Sequence, residues 1–323
     1  MVIDSVIPVS LYGGTQRIVV WLGRALHELG HHVTFLARPG SSSDFGSVFT
    51  LDPGRPLDDQ VPHDTDIVHL HSGGPLPERF PACMTLYTNG REAQTLPANT
   101  VFLSRRHAET HHGRVFVPIG LHPQEFGTAG PFETGKAFIF LAKAAWRVKN
   151  VRGAIRVARA AGAPLDVLGG TRLNFSMGFR LTLDPNVRFR GMVGGEEKNR
   201  FLRTARGLIH PVLWDEPGGA AIIESLYFGV PVFATPYGSL PELVPAHVGY
   251  LSASASELAE AAAHACQYDR RAIHAWWREH FTAAQMARQY LVHYEKILAG
   301  DTLHPGPIEA PATRHRELYP WRA

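Results

Sequence analysis

The chain reads as an α/β protein built from two Rossmann-like halves. Three observations carry this reading. Short apolar runs alternate with amphipathic stretches, the pattern of a parallel sheet with crossover helices. The alternation breaks at a Gly-, Thr- and Pro-rich stretch, residues 127–135, and then restarts. The length of 323 residues suits two α/β domains of ordinary size.

In the first half, Val2–Val9 is an apolar run that leads into Gly13-Gly14. A helix is predicted over about Gln16 to Leu29, because Ile18, Trp21, Leu22, Ala25, Leu26 and Leu29 fall on one stripe and Gly30 closes it. His32–Ala37, Asp66–His71, Cys83–Tyr87, Thr100–Leu103 and Arg114–Pro118 read as further short strands. In the second half the strands are Ala137–Ala142, Leu165–Leu168, Val187–Arg190, Gly207–His210 and Val230–Ala234. Helices fall at about 150–161, 196–204 and 219–228, the last stopped by Gly229 and Pro231. Helices then dominate to about residue 298, and the proline-bearing tail 301–323 reads as extended. The expected domains are therefore 1–130 and 135–298, with 299–323 a tail that packs back on the first domain. Open α/β sheets bind ligands at strand C-termini, so a cleft between two such edges is the expected site.

Composition narrows the function classes. Hydrophobic residues make up 45% and charged residues 19%, which is globular. A net charge of +3 excludes a polycation for nucleic acid. Residues 1–130 hold 9 Arg against 12 acids, and the remainder is basic, so the second half better suits an anionic ligand. Two cysteines, Cys83 and Cys266, exclude a disulfide framework and a thiolate zinc site. The segment Met1–Ser10 holds Asp4 and lacks a basic n-region, which argues against a secretory leader. The longest uncharged run, Ser225–Pro241, is broken by glycines and prolines and cannot span a membrane. The expected location is cytoplasmic, with peripheral attachment to the inner membrane face as a variant.

Three constellations suggest chemistry. Gly13-Gly14 stands between a strand and a helix, where amides attract phosphate; a plain strand–helix turn uses the same residues. It does not match G-x-G-x-x-G, which weakens a dinucleotide reading. Lys143 and Lys149 follow the first strand of the second half, and two compact ammonium charges there suit a diphosphate. The chain has only five lysines against 27 arginines, so two in one loop stand out. The third is Glu216-Pro217-Gly218-Gly219-Ala220-Ala221-Ile222-Ile223-Glu224. Gly218 and Gly219 clear space over the first amides of a helix, Glu216 suits sugar hydroxyls, and Glu224 suits a ribose diol. Glu224 lies on an otherwise apolar helix and so needs partners.

The histidines stay open. His107 and His111, at i and i+4, are a possible metal pair, but no third ligand is evident and a solvated face is the favoured reading. His69 and His71 end a strand, where either catalysis or packing places histidine. Cys83 reads as packed in a strand, and Trp276-Trp277 as core or domain-contact aromatics.

The ordered set from Asn186 to Val244 resembles the nucleotide-binding half of retaining glycosyltransferases of family 4, which have the GT-B fold. The residues that carry this are Val187–Val193 with Gly191, Leu208-Ile209-His210-Pro211, the pair Glu216 and Glu224 eight apart, Gly229–Thr235, and Gly238-Ser239-Leu240-Pro241-Glu242. Lys143 and Lys149 fall where that family has its basic pair, commonly Arg then Lys. The N-terminal half is similar through Gly13-Gly14, Arg17, Gly30-His31-His32-Val33, Asp66–His71 and Pro118-Ile119-Gly120. The family's usual His near the donor sugar is replaced by Asn89 at or beside that place.

The resemblance implies a nucleoside-diphosphate sugar, UDP or GDP, bound mainly by the second domain, with no metal and no further cofactor. It places the base near Met192 and Val193, the ribose on Glu224, and the diphosphate on Lys143, Lys149, Gly13-Gly14 and the amides around Gly218, Gly219, Ala220 and Ala221. Glu216 would hold the sugar ring, near Asn89. The implied reaction is transfer to an acceptor hydroxyl of a sugar, glycan, lipid-linked or small-molecule acceptor, with retention at the anomeric carbon and closure of the two halves over the donor. The alternatives are an inverting transferase, a GT-B-like sugar-nucleotide epimerase, and a catalytically silent sugar-nucleotide-binding protein.

Overall fold

The computed structural model describes residues 1–9, 13–90, 94–175, 179–309 and 318–323. The chain runs β1 (Val2–Ile3), α1 (Gly14–Glu28), β2 (Thr34–Ala37), β3 (Ser47–Thr50), β4 (Val68–Leu70), β5 (Ala82–Thr85), β6 (Thr95–Leu96), β7 (Thr100–Val101) and α2 (Arg105–Thr110). It continues β8 (Phe138–Leu141), α3 (Val151–Ala160), β9 (Leu165–Leu168), β10 (Leu173–Asn174), β11 (Arg180–Leu181), β12 (Val187–Phe189), α4 (Gly195–Arg203), β13 (Leu208–His210) and α5 (Ala220–Tyr227). It ends with β14 (Val232–Ala234), α6 (Leu240–Leu243), β15 (Gly249–Leu251), α7 (Ala255–Ala263), α8 (Arg270–His280), α9 (Ala283–Leu298) and β16 (Ile308–Glu309).

Two six-stranded parallel sheets organise these elements, in the orders β3-β2-β1-β4-β5-β7 and β12-β9-β8-β13-β14-β15. Counted within each half, both sheets follow the doubly wound order, reversing beside their first strand. The strands are short and apolar because both faces are covered. In the first sheet Val2, Leu36, Val68, Leu70 and Met84 are buried in one cluster with Phe102. In the second, Phe138, Phe140, Leu165, Val167, Ile209 and Phe233 pack with Val157 of α3 and Leu258 of α7. Each such side chain removed from water stabilises the fold by about 1.5–3 kcal/mol.

The chain divides into two compact units, one of residues 1–9, 13–122 and 281–314, the other of 10–12, 123–280 and 315–323. These differ from the ranges 1–130, 135–298 and 299–323. Helix α9 belongs with the first unit, where the Tyr294 hydroxyl meets His69 Nδ1 at 2.6 Å and the Tyr290 hydroxyl meets Thr85 at 2.8 Å. The tail divides too: β16 pairs with β6 in the first unit, whereas Tyr319 bonds Leu213 O at 2.9 Å and Arg322 bonds Ala253 O at 2.8 Å in the second. Residues 310–317 of the tail lie outside the described residues. The strand expected at Arg114–Pro118 is reduced to one bridge between Phe116 and Phe102, and the apolar run Val2–Val9 keeps only two residues in the sheet. Among the described residues no helix is long and apolar enough to cross a membrane.

Candidate nucleotide-sugar site

In the second sheet the order reverses between β8 and β13, so the loops that follow these two strands lie side by side. The first loop carries Lys143 and Lys149, and the second carries Glu216. Backbone and side-chain bonds stitch them together. Leu213 donates its amide to Val148 O at 2.7 Å. Asn150 donates Nδ2 to Pro211 O at 3.0 Å while its Oδ1 caps α3 by accepting from the Gly153 amide at 3.0 Å. Gly238 seals the second loop from behind. Its φ is +64°, and a Cβ there would stand 2.2 Å from the Glu216 nitrogen. Its neighbour Ser239 donates its amide to Glu216 O at 2.8 Å.

These constraints bring Lys149 and Glu216 into one ion pair, with Nζ 2.6 Å from Oε2 and about a tenth of each side chain exposed (10% and 11%). The same oxygen accepts from Trp214 Nε1 at 2.8 Å. His210, fully buried at the end of β13, stands 3.8 Å from it. Burial pushes the Glu216 carboxyl up, but the Lys149 ammonium and His210 overcome this and hold it well below the usual carboxylate range. Burial pushes His210 down, against the raising effect of Glu216. Lys143 is exposed in the same loop as Lys149, its ammonium 5.6 Å from the Trp146 ring centroid. Among the described residues no carboxylate lies within ion-pair distance of Lys143.

Helix α5 begins after this loop. Gly219 is its N-cap with φ +61°, and a Cβ there would meet Leu243 at 2.5 Å, so the turn needs glycine. Gly218 and Gly219 are buried, and the amides of Ala220 and Ala221 fall in the helix's first turn, which has no intrahelical acceptors for them. No acidic residue stands in that first turn. One turn on, Glu224 has the partner its burial demands: Lys198 of α4, at 2.7 Å. Met192 and Val193 lie between β12 and α4, the first 39% exposed and the second buried.

Gly13, Gly14 and Asn89 belong to the first unit. Gly13 caps α1 and is crowded by Gln16 and Val9, whereas a Cβ on Gly14 meets nothing within 4 Å. Asn89 is buried in the loop after β5. That loop is held by α2: His107 Nε2 and His111 Nε2 each stand 2.9 Å from a carbonyl oxygen, of Thr88 and Asn89 respectively. The two histidines are thus buried brackets rather than a solvated face. His69 and His71 are also buried, in a network with Thr85, Tyr87, Tyr290 and Tyr294. Cys83 is buried in β5, and Trp277 packs on Tyr227 and His274.

Lys198, Trp214 and His210 were not singled out by sequence reasoning. A signal existed for Lys198, one of only five lysines, on a helix between two strands of the site sheet. Trp214 and His210 become informative only once the fold sets them against Glu216.

Residues 123–267 match the model of the family described as Glycosyl transferases group 1. No curated protein matches the chain. Among solved structures, AviGT4, a glycosyltransferase involved in avilamycin A biosynthesis, aligns at TM-score 0.77 and 24% identity over 93% of this chain and 94% of that one. Sucrose-phosphate synthase from Thermosynechococcus elongatus aligns at TM-score 0.68 and 17% identity, covering 93% and 99%. Anabaena HepE in complex with UDP and glucose aligns at 0.62 and 13% identity, covering 92% and 100%. The chain is thus of the GT-B fold, with two Rossmann-like units, and carries the group 1 glycosyltransferase family match over residues 123–267.

Proposed function

We propose that the protein is a retaining glycosyltransferase of family 4 that moves a sugar from a nucleoside-diphosphate sugar to an acceptor hydroxyl. The observation that carries this is the cluster at the switch point of the second sheet. There an exposed Lys143, a buried Lys149–Glu216 pair and the acid-free N-terminus of α5 lie on adjoining loops. A helix N-terminus and a lysine suit a diphosphate, and a carboxylate kept ionised suits sugar hydroxyls. HepE was solved in complex with UDP and glucose and with UDP-glucose, which supports UDP as the first donor to try.

In this reading the bond from the anomeric carbon to the diphosphate oxygen breaks while the acceptor oxygen bonds to that carbon from the same face. The departing phosphate takes the acceptor's proton. Lys143 and the amides of Ala220 and Ala221 stabilise the charge that develops on the leaving diphosphate, each well-placed donor contributing roughly 3–4 kcal/mol. Lys149 orients Glu216 and keeps it ionised. Glu224 holds the ribose with Lys198 fixing its carboxylate, and Met192 and Val193 meet the base. The charge comes from side chains and helix amides, so no divalent ion is required. The acceptor is assigned to the first unit, at the strand ends near Asp4, Arg38 and Asn89. The setting proposed for the reaction is the cytoplasm.

The test is nucleotide release from UDP- and GDP-sugars, with EDTA present, across a panel of acceptors. Product with the donor's anomeric configuration supports the reading. The opposite anomer assigns an inverting transferase. Binding without release assigns the silent protein.

A further inference from the structure

The two-stranded ribbon β10–β11 is built inside out. Leu173 and Phe175 on one arm and Phe179, Leu181 and Leu183 on the other fall on one face, and Leu173 is directly opposite Leu181. That apolar face is in solvent, with exposures of 46, 74, 61, 51 and 80%. The polar face is turned to the protein. Arg180 and Thr182 are buried, and the Arg180 guanidinium donates to Thr182 Oγ1 at 3.1 Å and Thr171 O at 2.9 Å while lying over the Phe189 ring. A soluble ribbon places its leucines and phenylalanines against the core, so this one is arranged for an apolar phase outside the molecule.

The surroundings say which phase. Between residues 143 and 193 the chain holds eight arginines and two lysines against two aspartates, in a protein whose net charge is only +3. Arg152 of α3 donates to Phe179 O at 2.8 Å, which sets this arginine beside the ribbon, with the exposed Arg156 one turn along the same helix. Phe179 and Asn174 also share the wall of a cavity of about 390 Å³ with Trp146 and Arg147, which places the ribbon next to the lysine loop. A nucleic acid would meet the charge but offers no apolar phase for five large side chains. A second copy docked by symmetry would set one basic face against another. An anionic bilayer meets both needs: headgroup phosphates for the arginines and acyl chains for the ribbon.

We propose that β10–β11 is a membrane-docking ribbon that inserts its leucine and phenylalanine face into an anionic lipid surface, with the adjoining arginines on the headgroups. This does not depend on the transferase reading, because its readout is lipid binding alone. The experiment is co-sedimentation of the full chain with phosphatidylcholine vesicles that contain or lack phosphatidylglycerol. We expect binding to the anionic vesicles that weakens with salt, and weak binding to neutral ones. The variant Phe175→Ser/Phe179→Ser/Leu181→Ser should lower vesicle affinity by about tenfold or more, and Arg147→Glu/Arg156→Glu by about tenfold, with thermal unfolding unchanged because these side chains are exposed. Absence of wild-type binding to anionic vesicles overturns the proposal, as does undiminished binding by the triple serine variant. A dimer in sedimentation equilibrium that the serine variant dissolves would assign the face to a second copy instead.

Discussion

Replacing Lys149 by Met tests whether the pair with Glu216 is held as the geometry indicates. The two groups meet at 2.6 Å with about nine-tenths of each side chain buried, so neither charge has bulk water to fall back on. Breaking a buried pair from one side costs about 3–5 kcal/mol, because the remaining charge is left uncompensated. Trp214 still donates to Glu216 at 2.8 Å, which places Lys149→Met near the lower end, at roughly 3 kcal/mol. Glu216→Gln strands the lysine instead and should cost a similar ~3 kcal/mol. The double variant removes both charges and should cost far less than the sum, about 1–2 kcal/mol. Urea unfolding at neutral pH, followed by tryptophan fluorescence, measures all three. The pH dependence gives a second reading. The Glu216 pKa is held below its unfolded value, so its contribution is complete above about pH 4.3 and disappears as pH falls through the native pKa. Lys149→Met should lose that acid-sensitive component. Single losses that simply add in the double variant, to within about 0.5 kcal/mol, would refute the coupled pair.

Four further outcomes follow from the same structure. Lys143→Ala should leave stability within about 0.5 kcal/mol, since the side chain is exposed, yet weaken UDP or GDP by about tenfold in calorimetric titration. Glu224→Gln should weaken free and sugar-bearing diphosphates alike and also destabilise the fold, since it leaves Lys198 buried without its charge partner, whereas Glu216→Gln should weaken the sugar nucleotide more than the bare nucleotide; equal losses for Glu216→Gln would remove its assignment to the sugar. Gly238→Ala should cost roughly 2 kcal/mol or more and lower donor affinity, because a Cβ there meets the Glu216 backbone at 2.2 Å and the φ is positive; a neutral result in thermal unfolding would contradict the close approach. His69 and His71 are pushed well below their usual pKa by burial, so the folded protein keeps both neutral while the unfolded chain protonates them. Stability should therefore fall as pH drops below about 6.5, by about 1.4 kcal/mol per pH unit per histidine, and His69→Gln/His71→Gln should flatten that slope in urea titrations at pH 7 and 5.

Much of this was legible in the chain, and the parts that were not share a cause. The strand Leu165–Leu168 and the helix read at 150–161 came through because an apolar period and a capping residue are local signals. Lys143, Lys149 and Glu216 could be named because they sit on loops that follow strands, and Glu224 because it is a charge on an apolar helix. Their pairing could not, since Lys149 and Glu216 are 67 residues apart and Lys198 and Glu224 are 26 apart. The same holds for α9, whose amphipathic stripe predicts a helix but carries no mark of which sheet it covers. The ribbon β10–β11 is not among the elements read from the sequence, and alternation alone cannot say which face points outward; here the rarer choice was made. His107 and His111 were misread as surface residues because only the tertiary fold shows the carbonyls they hold.

The return of residues 281–309 to the first unit has a consequence for synthesis. As the chain leaves the ribosome, β1 to β7 emerge early but lack α9 and β16, so His69 and Thr85 wait for the hydroxyls of Tyr294 and Tyr290. The sheet of the second unit lies wholly within 123–280 and has all its strands more than a hundred residues after the first unit's sheet begins, yet before that unit can finish. The domain encoded first is therefore completed only after the whole sheet of the second has emerged. During that interval the nascent first half exposes the faces that α9 will cover, which makes it the segment of this polypeptide most in need of a chaperone.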